Sequence, residues 1–81
     1  MGCAVEYDFE YEARTVTPDP AVTVPVQVFV TLFPLPGFGQ VDLVLIPATG
    51  QMVRFEELGI ADRIGIGERM KQLIEERVCK N

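Results

Sequence analysis

Four carboxylates stand at alternate positions, Glu6, Asp8, Glu10 and Glu12, interleaved with Val5, Tyr7, Phe9, Tyr11 and Ala13. At the strand period of two this makes one face acidic and the other apolar, with successive carboxylates about 7 Å apart. Hard cations need oxygens converging within about 2.5 Å of one point, which a single strand does not deliver, and no EF-hand loop spacing occurs. Glycosidase-type acid and base work needs two carboxyls across a cleft, one of them in an apolar pocket, and a regular row supplies neither. The row is therefore left with electrostatic work: solvating a strand face, guarding an edge against aggregation, or orienting a basic partner.

The chain contains no His, Ser or Trp, which excludes Ser–His and Cys–His nucleophile pairs and every imidazole metal ligand. Its two cysteines, Cys3 and Cys79, form no CxxC and are too few for a zinc site within one chain. Nothing resembling a cleavable leader precedes Cys3, so free thiols and a cytoplasmic setting are expected. Lipid attachment is not expected, because Glu6 stands where a myristoylation motif needs Ser or Thr and Cys79 is third from the end rather than fourth. The stretch from Arg63 to Arg69, with Gly65 and Gly67, could cradle an anion at a helix N-terminus. It lacks the third glycine of a dinucleotide fingerprint and the Lys-Thr or Lys-Ser of a P-loop, and Glu68 would repel phosphate, so a plain connection is expected. No catalytic, cofactor or metal site emerges, and the chain is expected not to be an enzyme.

Seven Lys and Arg against twelve Asp and Glu give a net charge of −5. That is the wrong sign for tracking a phosphate backbone, so direct nucleic-acid binding is not expected. No charge occurs between Asp19 and Asp42, a length that could span a bilayer. Pro25, Pro34, Pro36, Gly37 and Gly39 break any helix there, and Val22, Val24, Val26, Val28 and Val30 alternate as in a strand. No membrane contact is expected.

Local patterning fits one domain over 1–81. Val5 to Ala13 reads as a half-buried strand, Thr17 to Pro20 as a turn, and Ala21 to Phe33 as a second strand. Pairing Val16 with Ala21 sets Tyr11 against Val26, Phe9 against Val28, Tyr7 against Val30 and Val5 against Leu32 on one side. On the other side Glu12 meets Pro25, Glu10 meets Gln27, Asp8 meets Phe29 and Glu6 meets Thr31. Residues 33–39 read as an apolar loop, because two prolines and two glycines punctuate them. Val41 to Pro47 and Gln51 to Phe55 form a second hairpin, with Thr49-Gly50 as its turn, Ile46 opposite Val53 and Val44 opposite Phe55. Phe55 to Gly59 ends in one helical turn, and Glu68 to Lys80 carries the stripe Met70, Leu73, Ile74 and Val78 of an amphipathic helix. The expected fold is α+β: a four-stranded antiparallel sheet of two hairpins with a C-terminal helix packed on one face.

One helix covers one face of such a sheet, which leaves Phe29, Phe33, Val41, Leu43 and Leu45 in need of a cover. The sequence is thus read as a small non-enzymatic protein-interaction module, self-associating or part of a larger assembly. Phe29, Phe33, Leu35, Phe38, Leu43 and Leu45 are its apolar anchors, and Glu6, Asp8, Glu10 and Glu12 orient the contact. Basic residues concentrate after residue 62 while the first strand is acidic, which allows a head-to-tail or an antiparallel contact between copies. One alternative is an acidic inhibitor seated in the basic groove of a nucleic-acid-binding protein. Another is a small-ligand carrier with a pocket lined by Tyr7, Phe9, Tyr11, Met70 and Leu73.

Overall fold

The computed structural model describes residues 3–19, 21–35 and 37–76. Strand β1 is Cys3–Ala13, β2 is Val24–Leu35, β3 is Phe38–Ile46 and β4 is Gln51–Val53, followed by one 3₁₀ turn, Phe55–Glu57, and helix α1, Ile60–Glu76. The strands form one antiparallel sheet in the order β1-β2-β3-β4, and α1 packs on it against β2 and β3. This is the α+β meander expected from the sequence.

The β1–β2 register is the one that the two hydrophobic sets demand. Tyr11 lies opposite Val26, Phe9 opposite Val28, Tyr7 opposite Val30 and Val5 opposite Leu32. Side chains alternate across a strand, so Val26, Val28, Val30 and Leu32 all project beneath the helix, where each is buried to within 1% of its surface. Full burial of one such side chain is worth about 1.5 to 3 kcal/mol. Phe9 and Ala13 from β1, Val44, Ile46 and Val53 from the later strands, and Leu58, Ile66, Met70 and Leu73 from the helical side complete the core.

Four boundaries differ from the sequence expectation. The β1–β2 pairing stops at Ala13 and Val24, short of Val16 and Ala21, because the backbone N–H groups of Arg14 and Thr15 donate to the Asp62 carboxylate. The expected loop is in large part ladder: β2 runs to Leu35 and β3 starts at Phe38, with Phe33 opposite Phe38 and Leu32 opposite Gly39, and Gly37 lies in the turn. Proline is tolerated there because the hairpin end leaves few ladder bonds to lose. The second hairpin is displaced by two residues, with Ile46 opposite Gln51 and Val44 opposite Val53. Its turn takes four residues, closed by the Gly50 N–H donating to the Ile46 carbonyl at 2.8 Å, with Gly50 in the left-handed region at φ +72°. A two-residue shift preserves every face, so the core set is unchanged.

The fourth difference is the helix, which begins at Ile60 rather than Glu68 and runs through Gly65 and Gly67. A start at Ile60 is held by Asp62, which is fully buried in the first turn. Gly65 is required where α1 crosses β1, because a Cβ there would lie 2.0 Å from the Tyr11 hydroxyl. Further along, Met70 and Ile74 approach Gly39 of β3, and the Arg69 guanidinium sits 6.0 Å from the Phe9 ring centre. The helix therefore runs obliquely from the end of β1 to the start of β3. Residues 63–69, expected as a plain glycine connection, are helix instead, and the anion cradle weighed against it has no helix N-terminus there. Val78, Arg77 and Lys80, assigned to the helix from sequence, lie outside the described residues.

Candidate interaction face

The sheet face away from α1 is built by the other half of each alternation. From β1 it receives Glu6, Asp8, Glu10 and Glu12, all exposed. From β2 it receives Pro25, Gln27, Phe29, Thr31 and Phe33, and from β3 and β4 it receives Phe38, Gln40, Leu43, Leu45 and Met52. The register sets Asp8, Phe29 and Leu43 in one cross-strand row, and Gln27, Leu45 and Met52 in the next. Phe33 and Phe38 stack with ring centres 4.6 Å apart. The anchors anticipated from sequence thus come together on one surface, except that the Leu35 side chain lies outside the described set.

Val41 departs from that expectation. The ladder is irregular between Phe29 and Val30, where Leu43 and Val41 are the respective partners, so Asp42 is the extra residue. A bulge of this kind flips the alternation. Val41 therefore packs against the core, and Asp42 emerges on the open face, where Thr31 Oγ1 donates to it at 2.7 Å and Gln40 Nε2 at 2.9 Å. Sequence reasoning missed Asp42 because a bulge leaves no periodic mark. Asp8 accepts in turn from the Gln27 side-chain amide. Glu6, Asp8 and Asp42 rim a shallow depression of about 340 Å³ with Phe29 in its wall.

The electrostatics of this face are one-signed. The four strands contain five acidic residues, Glu6, Asp8, Glu10, Glu12 and Asp42, and no Lys or Arg. Among the described residues the ion pair is Arg54 with Glu57 at 3.4 Å, away from the row. No group of three or more Asp, Glu, Cys or His among the described residues is placed to hold a metal ion. Phe29 is 36% exposed, Phe38 49% and Met52 66%, and Leu43 and Leu45 are half-buried. What the face can do chemically is present an apolar strip bordered by carboxylates.

The positions expected to enclose a small ligand pack mainly into the core, with Met70 bordering a recess of about 410 Å³ beside Gly39 and Ile74. Phe9, Met70 and Leu73 are core residues, with Tyr7 and Tyr11 packed against them. Contrary to the free thiols expected from the sequence, Cys3 is disulfide-bonded and no cysteine among the described residues is free. Cys79 lies outside the described residues. No helix of the described residues is long and apolar enough to cross a membrane. No family model matches the chain, and neither a curated protein nor a solved structure is significantly similar to it.

Proposed function

We propose that the chain is a non-enzymatic protein-interaction module that docks through its open sheet face. The observation that carries this reading is the row of Phe29, Leu43, Leu45 and Met52 left uncovered beside carboxylates that have no cation on their own sheet. Small monomers seldom leave a contiguous apolar strip in water without a use for it. The strip lies on rigid strands rather than a loop, so little conformational entropy is lost when a partner covers it. The sheet's extent, within overall dimensions of 45 by 22 by 18 Å, suits one side of a standard interface, about 800 Å².

The acidic row supports a second reading on the same surface, an inhibitor that fills the basic groove of a nucleic-acid-binding protein. A ligand carrier gains no support, since its lining residues are packed. The cytoplasmic setting expected from the sequence is weakened by the disulfide at Cys3, because such bonds persist mainly in oxidising compartments.

Carbene footprinting tests the module reading, performed on the dilute chain, on the concentrated chain and on the chain in an extract of its source cells. Protection of Phe29, Leu43 and Leu45 is expected in at least one of the two crowded samples. Equal labelling of those residues in all three would overturn it.

A further inference from the structure

Two apolar patches lie on opposite sides of the molecule. One is the open sheet face, and the other is on α1, where Ile60 is 68% exposed and Ile64 55%. At helical spacing Ile60, Ile64, Gly67 and Lys71 form one stripe, i, i+4, i+7 and i+11, turned away from the buried Asp62, Ile66, Met70 and Leu73. Nothing lies within 4 Å of where a Gly67 Cβ would stand, because Gly67 and Lys71 border a recess of about 410 Å³ shared with Phe38 and Gly39 of β3, and a protruding side chain can enter it beside the stripe. Arg63 borders the stripe on one side, and Glu68 and Glu75 border it on the other.

The charges decide what can cover the open face. Two sheets packed face to face would set five carboxylates of one copy against five of the other, with no strand cation to separate them. The helix stripe has the opposite character, with isoleucines to meet Phe29, Leu43 and Leu45 and with Arg63 and Lys71 to meet Glu6, Asp8, Glu10 and Glu12. Laid with its Arg63 border toward β1, it carries Glu68 and Glu75 over β3 and β4, whose one carboxylate, Asp42, is already held by Thr31 and Gln40.

From this complementarity we infer that the open sheet face of one copy receives the outer stripe of α1 from a second copy, a head-to-tail contact. The inference rests on the reading of the open face as a docking surface and names its occupant. Contact between two different patches on opposite sides is heterologous, and it propagates until it closes into a ring or extends as a filament.

A complementation experiment tests this. Phe29→Asp blocks the sheet patch and Ile64→Asp the helix patch, and both residues are exposed enough for the fold to survive, which circular dichroism checks. Met52→Asp and Ile60→Asp are a second pair should either variant unfold. By light scattering the unmodified chain should exceed its 9.0 kDa monomer mass increasingly with concentration. Each variant alone should be monomeric, and an equimolar mixture should double in mass and stop there, because one intact patch remains on each partner. An unmodified chain that is monomeric at every concentration overturns the inference, and protection of the open face in the extract would then leave the module reading standing. A mixture that stays monomeric, or an Ile64→Asp chain that assembles normally while Phe29→Asp does not, overturns the helix as occupant and keeps the face. Assembly indifferent to both substitutions removes both readings.

Discussion

The Thr15 hydroxyl joins two segments that are distant in sequence, donating to the Asp62 carboxylate while accepting the Gly59 N–H at 2.7 Å. Asp62 is fully buried, and it also accepts from the Arg14 N–H at 2.9 Å and the Thr15 N–H at 2.8 Å. A buried carboxylate is tolerated when donors surround it. These bonds take the backbone off the β2 ladder and anchor the first turn of α1, so they set how the helix lies on the sheet. Asp62→Ala leaves the Arg14 and Thr15 N–H groups without their acceptor. We expect a loss of about 3 kcal/mol in urea unfolding, the scale for charged hydrogen bonds and stranded donors. Thr15→Val should lose about half as much, and a double variant should lose less than the sum, since the sites share bonds.

Gly65 and Tyr11 form the tightest crossing of helix and strand. Gly65→Ala would ordinarily favour a helix by about 1 kcal/mol. Here the new Cβ falls 2.0 Å from the Tyr11 hydroxyl oxygen and 2.9 Å from Cζ, so we expect a net loss of about 2 kcal/mol from overpacking. Adding Tyr11→Phe removes the nearest atom and should restore part of the loss, which thermal unfolding of the four proteins in the cycle measures.

Tyr11 should also shape the alkaline limit of the fold. Its pKa is raised from the ordinary value of 10.0, first by burial and then by the negative charge of Asp62, with Glu68 adding and Arg14 opposing. An unfolded tyrosine ionises near 10, so on raising the pH the unfolded chain loses this proton before the folded one does. The stabilisation is full below about 10 and is lost as pH climbs through the folded value. Phenolate absorbance should show a late step that Tyr11→Phe abolishes, and the variant's stability should fall less steeply above pH 10.

The Cys3 disulfide implies a response to reductant. Removing a native disulfide typically costs about 2 to 4 kcal/mol, and in so small a domain that is a large share of the total. Chemical denaturation with and without a phosphine should give midpoints that differ accordingly. Equal midpoints would mean that the bond contributes nothing to the fold.

Much of this architecture was legible where two periodic patterns had to agree. The β1–β2 register follows from the coincidence of Val5, Tyr7, Phe9 and Tyr11 with Leu32, Val30, Val28 and Val26, since any one-residue slip would expose both sets. The same parity places Phe29, Leu43 and Leu45 on the open face. The helix start was not legible, because Gly65 reads as a breaker until Tyr11 is seen to occupy the space a side chain would need. Asp62 is a favourable first-turn acid, yet its partners, Arg14 and Thr15, lie 48 and 47 residues away. A helix starting at Glu68 would exclude Ile60 and Ile64, so their exposed patch has no sign in the sequence. At the hairpin tip proline is no reliable sign of a loop: Pro34 stands inside a strand whose neighbours, Phe33 and Leu35, still pair.

The β1 row carries one more consequence. β1 is an edge strand of eleven residues, long enough to template pairing with another chain, and edge strands are commonly protected by charge. Glu6, Asp8, Glu10 and Glu12 repel any second copy that would align along this edge. Glu10→Gln with Glu12→Gln removes half of the row's charge, and so more than half of the repulsion between two rows, and leaves the buried face untouched. The folded monomer should keep its stability to within about 0.5 kcal/mol, as exposed substitutions usually do. Aggregation on prolonged incubation, followed by turbidity and a fibril-sensitive dye, should nonetheless accelerate, and added salt should accelerate the unmodified chain toward the same rate by screening its carboxylates. Unchanged aggregation in both would mean that β1 is guarded by something other than its charge.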